Sequence, residues 1–420
     1  MQKISTSILL TLCLLFLGSK VSAQNVVTDW AAIIQPAVLS NGAGGARSPG
    51  TAEILHTTIQ LAMYNAAMAI EGGYAQYGAN LSAPAGADVR SAVATAAYQT
   101  ALARVAPSQI SYLNAQYVAY MAAIPSSQNK TDGIEVGQAA AAAMLALRVN
   151  DGFDNVVLYQ CTSLPLPIGE FEPNGGCGTQ PVDTKVGQIQ PFTYSDPVEF
   201  RPDGPSPLTS DEYTADFNET RDYGRSNSSI RSAAQTDVVF FWSENTYNQL
   251  SRSLTSLAVA RGLNVREAAR FLAMTHCSGA DSLIAGFAAK YYYRAWRPRT
   301  AIPLADMDGN PNTDADPTWT PLLTVNHPEY PSGHSFFTTA VTDAVAAYFG
   351  TNKVSWTLTT TAPQAVVTSR TYKDVNTLMR EVDDARIWAG LHWRHSMRHG
   401  AQVGRKVAQE VTRNFFQPTP

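Results

Sequence analysis

From Thr51 onward, apolar residues recur with helical spacing. Ile54, Leu61, Ala62, Met68 and Ala69 can share one face, which predicts a helix with a single buried stripe. Thr58 and Asn65 fall on that face and would need hydrogen-bond partners there. Further helices are predicted over about 87–105, 107–123 and 133–149, where frequent alanines permit close packing. Between about 151 and 207 the periodicity stops, and Pro, Gly and aromatic residues dominate. A loop this long inside a folded domain is expected to be functional, so it is placed over or near a site. Helices resume over 209–223, where Thr209 and Glu212 have the spacing of a capping box, and over 232–242, 247–261 and 265–292. An apolar helical run follows at 336–348, with Ser332 and Gly333 placed to open it. The stretch 353–371, rich in Thr and Val, is expected to form a small hairpin. Two last helices are predicted, over 376–390 and onward to about 415. The chain therefore reads as all-α, a helical bundle with long loops and at most a small β-hairpin.

Composition agrees with a packed globular protein: hydrophobic residues make up 45% of the 420 and charged residues 15%. The net charge of −4, with no basic stripe interleaved with aromatics, argues against a nucleic-acid partner. Lys3, the apolar run 8–17 and Val21-Ser22-Ala23 read as a secretory signal over residues 1–23, giving a secreted or periplasmic protein that begins at Gln24. That run is too short to cross a bilayer comfortably, and no later segment reads as a membrane span. Cys13 would leave with the leader. Cys161 and Cys177 bracket a Pro- and Gly-rich loop and could pair in an exported protein; whether they do is left open. Cys277 reads as a buried thiol. A catalytic role beside His276 is disfavoured because helix neighbours point in different directions. Asp306, Asp308, Asp314 and Asp316 loosely imitate a calcium loop but lack the spacing of an EF-hand, so a solvated acidic loop is favoured over a calcium site.

The candidate chemistry lies in three blocks, in order: Lys290 with Arg297, then Tyr330-Pro331-Ser332-Gly333-His334, then Arg386 with His392. Lys290 is a point cation, and Arg297 and Arg386 are planar forks suited to an oxyanion. A helix opening at Ser332 and Gly333 adds free N–H groups and the positive end of a dipole. Of the two histidines, one can move a proton while the other attacks or ligates the central atom. Pro298 should hold Arg297 extended.

The order Lys290-x6-Arg297-Pro298, Pro331-Ser332-Gly333-His334 and Arg386-x5-His392 resembles the signature of vanadium-dependent haloperoxidases and type 2 phosphatidic acid phosphatases. Trp296-Arg297-Pro298, His327-Pro328-Glu329-Tyr330 and the run 385–394 resemble the secreted bacterial haloperoxidase branch. The resemblance covers almost all of the mature chain and is strongest from about Phe192. It implies one haloperoxidase-like helical domain over 24–420, with a helical part at 24–190 and the oxyanion site in 191–420. It implies vanadate, or phosphate in the same pocket, held by Lys290, Arg297, Ser332, Gly333, Arg386 and His392. It further implies that His392 is the vanadium ligand, His334 the acid–base opposite it and Lys290 a catalytic polariser. Hydrogen peroxide, halide and a small organic acceptor would be the partners. His327 stands where the family varies between histidine and an aromatic, and its histidine resembles bromide-preferring members; packing of a loop histidine against Pro328 is the alternative. Phe192 and Phe200-Arg201-Pro202 would lie near the entrance. His395 and His399 read as solvated beside Arg394 and Arg398. Two positions depart from the pattern: Ala385 replaces a Ser, and Ser396 replaces an Asp four residues beyond His392, where a carboxylate would orient the imidazole. The expected function is halide oxidation by peroxide, with bromide or iodide favoured. The alternatives are a soluble acid phosphatase acting through phosphohistidine and a non-catalytic oxyanion-binding homologue.

Overall fold

The structure, a computed structural model, describes residues 25–419; the predicted leader and Cys13 lie outside them. The first half is built from α1 (Val26–Leu39), α2 (Pro49–Glu71), α3 (Val89–Leu102), α4 (Ile110–Ala122) and α5 (Gln128–Leu147). The second half holds α6 (Asp211–Gly224), α7 (Ala233–Phe241), α8 (Thr246–Ala260), α9 (Val265–Tyr293), the short α10 (Pro298–Ala301), α11 (Gly333–Phe349), α12 (Val375–Trp388) and α13 (Arg394–Asn414). Between α11 and α12, strands β1 (Trp356–Thr359) and β2 (Ser369–Tyr372) form the predicted hairpin, antiparallel with Trp356 opposite Tyr372. The fold is thus all-α with one small hairpin. Among the described residues, no helix is long and apolar enough to cross a membrane.

The helix α9 runs through the middle and packs on α2, α11 and α13. Its neighbour α2 differs from the expected single stripe, because it is buried continuously from Ala52 to Met68. Helices α1, α3, α5, α8 and α9 all pack against it, so its polar residues must pair internally. His56 bonds the Tyr247 hydroxyl, His276 bonds Glu53, and Asn65 exchanges bonds with the backbone of Tyr77. One apolar core extends from Val26 to Phe416.

Helix ends follow local chemistry. Asn264 with Glu267 and Ser232 with Gln235 form capping boxes. At α6 the cap is Ser210, not Thr209, and the Glu212 side chain turns away to Ser206 and Arg398.

The long segment 151–207 is irregular apart from a short turn at Val186–Gln188. Cys161 and Cys177 are bonded. The loop they close presents Gly169 and Phe171 to the chain just beyond α9. Trp296 N–H donates to the Gly169 carbonyl at 2.8 Å, and Phe171 N–H donates to that of Arg294 at 2.7 Å. Phe192 lies in the core under Arg148, and Arg201 stacks on Tyr292; neither reaches the wall of the main cavity, unlike Val182 and Asp183. The aspartate-rich loop is bound internally: Asp308 accepts from Asn310 N–H and the Thr313 hydroxyl, and Asp316 pairs with Arg225. Asp308 is buried, unlike the solvated loop expected, and the minor calcium alternative gains no support, since no group of three His, Cys, Asp or Glu among the described residues could hold a metal ion. Cys277 is fully buried, with burial pushing its thiol well above the ordinary pKa, while His276 is engaged with Glu53.

Helix α13 approaches α11 closely through Gly400 and Gly404. A Cβ on Gly404 would stand 2.3 Å from the carbonyl oxygen of Phe336. That overlap outweighs the roughly 1 kcal/mol that alanine gains over glycine in a helix. Gly404→Ala is expected to lower the unfolding free energy by about 1–3 kcal/mol in urea titration. An unchanged midpoint would mean that the two helices separate at no cost.

Candidate active site

Ser332 is the N-cap of α11 in extended backbone, yet its side chain makes no capping bond. Its hydroxyl is buried without a partner, and the first-turn N–H groups are left uncapped at the positive end of a helix dipole. Gly333 and His334 open onto a cavity of about 750 Å³, whose wall includes His327, Arg386 and His392. Leu283, Phe287 and Phe337 supply an apolar side. A Cβ on Gly333 would lie 3.8 Å from Lys290 Cε and 4.0 Å from His327 Cε1, so glycine keeps that floor open.

The first block is positioned by the end of α9. Arg294 turns the chain with a left-handed φ of 50° while its N–H caps the Lys290 carbonyl. The disulfide loop fixes residues 294–296, and Arg297 follows in extended backbone (φ −95°, ψ 158°), as Pro298 requires. Lys290 Nζ donates to the carbonyls of Pro328 and Glu329, both at 2.9 Å. Arg297 donates to those of His327 at 2.6 Å, Leu391 at 2.8 Å and Pro328 at 3.2 Å. Lys290 and Arg297 therefore lie behind the cavity wall and brace it. Arg386, in the last turn of α12, makes only a long bond of 3.4 Å to Trp242, and its Nε has no partner.

Lys290, Arg297 and Arg386 are all at most 3% exposed. Burial pushes the pKa of each down, and Arg297 pushes those of Lys290 and Arg386 down further. Glu329, fully buried, is the carboxylate that opposes Lys290 and Arg297. Two other carboxylates reach the cavity wall, but Glu244 is paired with Arg252 and Asp183 is held by Ser48 and the Gly50 N–H. Three buried cations against one committed carboxylate is an unbalanced arrangement that a multiply charged anion would relieve.

The histidines are held in distinct ways. His392 Nδ1 bonds Glu329 Oε1 at 2.7 Å, and the same oxygen accepts from Trp393 N–H at 3.2 Å. A carboxylate can only accept, so Nδ1 carries the proton and Nε2 keeps its lone pair. His334 Nε2 lies 3.2 Å from the Trp242 carbonyl and 3.1 Å from the Thr246 hydroxyl. The carbonyl likewise fixes the proton on Nε2 and leaves Nδ1 as the basic nitrogen. Burial and the nearby cations push the pKa of both histidines well below the ordinary value, so both are neutral near pH 7. His327 accepts from Arg297 at 3.0 Å and packs on Phe287 while lining the cavity.

All three blocks thus converge. Sequence reasoning missed Glu329, although it adjoins the central block, and missed Thr246 and Trp242, which come from a distant turn. The vacancy at Ser396 was a usable signal, since it called for a carboxylate from elsewhere. His395 is corrected: it is buried and bonds Asp216 at 2.7 Å. His399 bonds the Tyr330 hydroxyl at 2.6 Å.

Comparison with known proteins agrees with this geometry. A family model, the VCPO second helical-bundle domain, matches residues 270–418, which contain every residue of the three blocks. No curated protein matches the sequence. The fold is similar to that of the first bacterial vanadium-dependent iodoperoxidase, with a TM-score of 0.75, 18% identity and coverage of 94% of this chain and 95% of that one. It is also similar to a holo-type bacterial vanadium-dependent chloroperoxidase, with a TM-score of 0.71, 18% identity and coverage of 93% and 97%. Residues 270–418 therefore match the VCPO second helical-bundle domain, within a chain whose fold is similar to that of the bacterial vanadium-dependent haloperoxidases.

Proposed function

We propose that this protein is a vanadate-dependent haloperoxidase that oxidises bromide or iodide with hydrogen peroxide. The observation that carries the reading is the set of three buried cations opposed by one carboxylate, beside an uncapped helix start and the free Nε2 of His392. These residues fit vanadate. The unpartnered Ser332 hydroxyl and Arg386 Nε are donors for its oxygens, Gly333 leaves room for them, and His392 Nε2 is the nitrogen to ligate the metal. Export by the signal over residues 1–23, and a single domain over 24–420, belong to the same proposal.

Bound vanadate would supply a Lewis acid that activates peroxide for two-electron transfer without changing its own oxidation state. The residues do the rest. Neutral His334 takes a proton from the incoming peroxide at Nδ1, while Trp242 and Thr246 hold its other nitrogen. Lys290 and Arg297 hold the segment 327–329 in place and, with Arg386, stabilise negative charge on the oxyanion. Overall, halide loses two electrons and gains oxygen, the peroxide O–O bond breaks, and with one proton the products are hypohalous acid and water. His327, on the wall beside Phe287, is placed to influence which halide enters. The apolar side of the cavity offers space for a small organic acceptor. Glu329 supplies the carboxylate beside His392 that the departure at Ser396 lacks, which supports this reading, and no feature of the site favours the phosphatase reading.

Protein stripped of bound anions is expected to oxidise bromide and iodide only after orthovanadate is added, with phosphate competing. Hydrolysis of a phosphate ester in place of halide oxidation would move the chain to the phosphatases. Because an anion neutralises buried cations, orthovanadate should also raise thermal stability, by about 2.7 kcal/mol when present at a hundred times its Kd; the same midpoint with and without it would remove the anion site. Gly333→Ala, whose added Cβ meets only ordinary contacts, should fold normally yet bind orthovanadate more weakly in calorimetry. Unchanged affinity would place the anion elsewhere.

A further inference from the structure

Glu329 touches no cavity-facing oxyanion donor, yet its carboxylate is the direct partner of the His392 imidazole. We propose that Glu329 is the positioning residue that sets the tautomer and aim of His392, and that position 396 is a second place from which one carboxylate could do the same work. This inference rests on the anion-binding reading above.

The geometry is specific. Glu329 Oε1 sits 2.7 Å from His392 Nδ1 and 3.2 Å from Trp393 N, so it holds both the ring and the backbone beyond it. Its other oxygen, Oε2, is buried without a partner. The Ser396 hydroxyl, also buried, lies beside this carboxylate without forming a hydrogen bond to it. Ser396 itself is pinned to the same region, because its carbonyl accepts from Ser332 N–H at 3.2 Å. Two elements distant in sequence, the segment before α11 and the first turn of α13, therefore present side chains to one small buried volume next to Nδ1. A carboxylate there accepts the Nδ1 proton, leaves the Nε2 lone pair for the cavity and raises the donor strength of the ring. A second carboxylate would be forced against the first in a dry site, and like charges so placed cannot both ionise.

The consequence is a reciprocal pattern that simple packing would not produce. Anion-free protein would be titrated with orthovanadate by calorimetry, with folding checked by circular dichroism and bromide oxidation measured in parallel. Glu329→Gln, which keeps the size of the side chain, is expected to weaken orthovanadate binding by about tenfold to a hundredfold. Ser396→Asp alone should also weaken it. Glu329→Ala combined with Ser396→Asp should recover most of the affinity that Glu329→Ala loses. The idea is overturned if Glu329→Gln binds like the unmodified protein. It is equally overturned if the folded double variant binds no better than Glu329→Ala, since Glu329 would then serve only to pin the backbone at Trp393. Unmodified protein that binds neither orthovanadate nor phosphate would sink the proposed function and this inference together. Normal binding in the unmodified protein with no effect of the variants would sink this inference alone.

Discussion

Burying positive charge without enough negative charge to balance it is the constraint on which this molecule turns. Three cations lie at most 3% exposed around the start of α11, and one carboxylate opposes them. Such an arrangement costs free energy in an empty protein, so the rest of the fold has to hold it in place. It does so with backbone carbonyls. Lys290 and Arg297 donate to residues 327–329 and 391, which turns part of the charge into a clamp on the loop that precedes the helix. The glycines of α13 let a second helix press against the same start, and the disulfide loop fixes the turn that carries Arg297.

Much of this was legible in the chain. The helices were readable because burial on one side leaves a period in the sequence, and α9 was predicted within one residue of its observed end. The three blocks were readable because cations, a Ser-Gly helix start and two histidines are rare in that order. What stayed hidden depended on tertiary partners. Helix α2 has too little polar residue spacing to reveal burial on every side, since its polar groups are satisfied by one another and by α8 and α9. Thr209 and Ser210 are both good caps, and only the backbone chooses between them. His395 looked solvated among arginines because nothing near it in sequence announces Asp216, on α6. Glu329 was in plain view but was read as part of a flank, because its target lies 63 residues away.

The division of labour between the two arginines follows from their anchors. Arg297 is almost fully occupied by carbonyls, so its geometry is set before any ligand arrives. Arg386 is nearly unoccupied and keeps its donors available. One guanidinium thus shapes the wall while the other faces what enters, a distinction that their identical chemistry conceals.

The cysteines have a consequence for durability. Among the described residues, two are joined to each other and the third is sealed inside α9 with its thiol held protonated. Under the proposed function, peroxide and hypohalous acid would meet no thiolate, the side-chain form that reacts fastest, among these residues. Under that function, oxidation would instead fall on exposed groups such as Met307, which is 57% exposed.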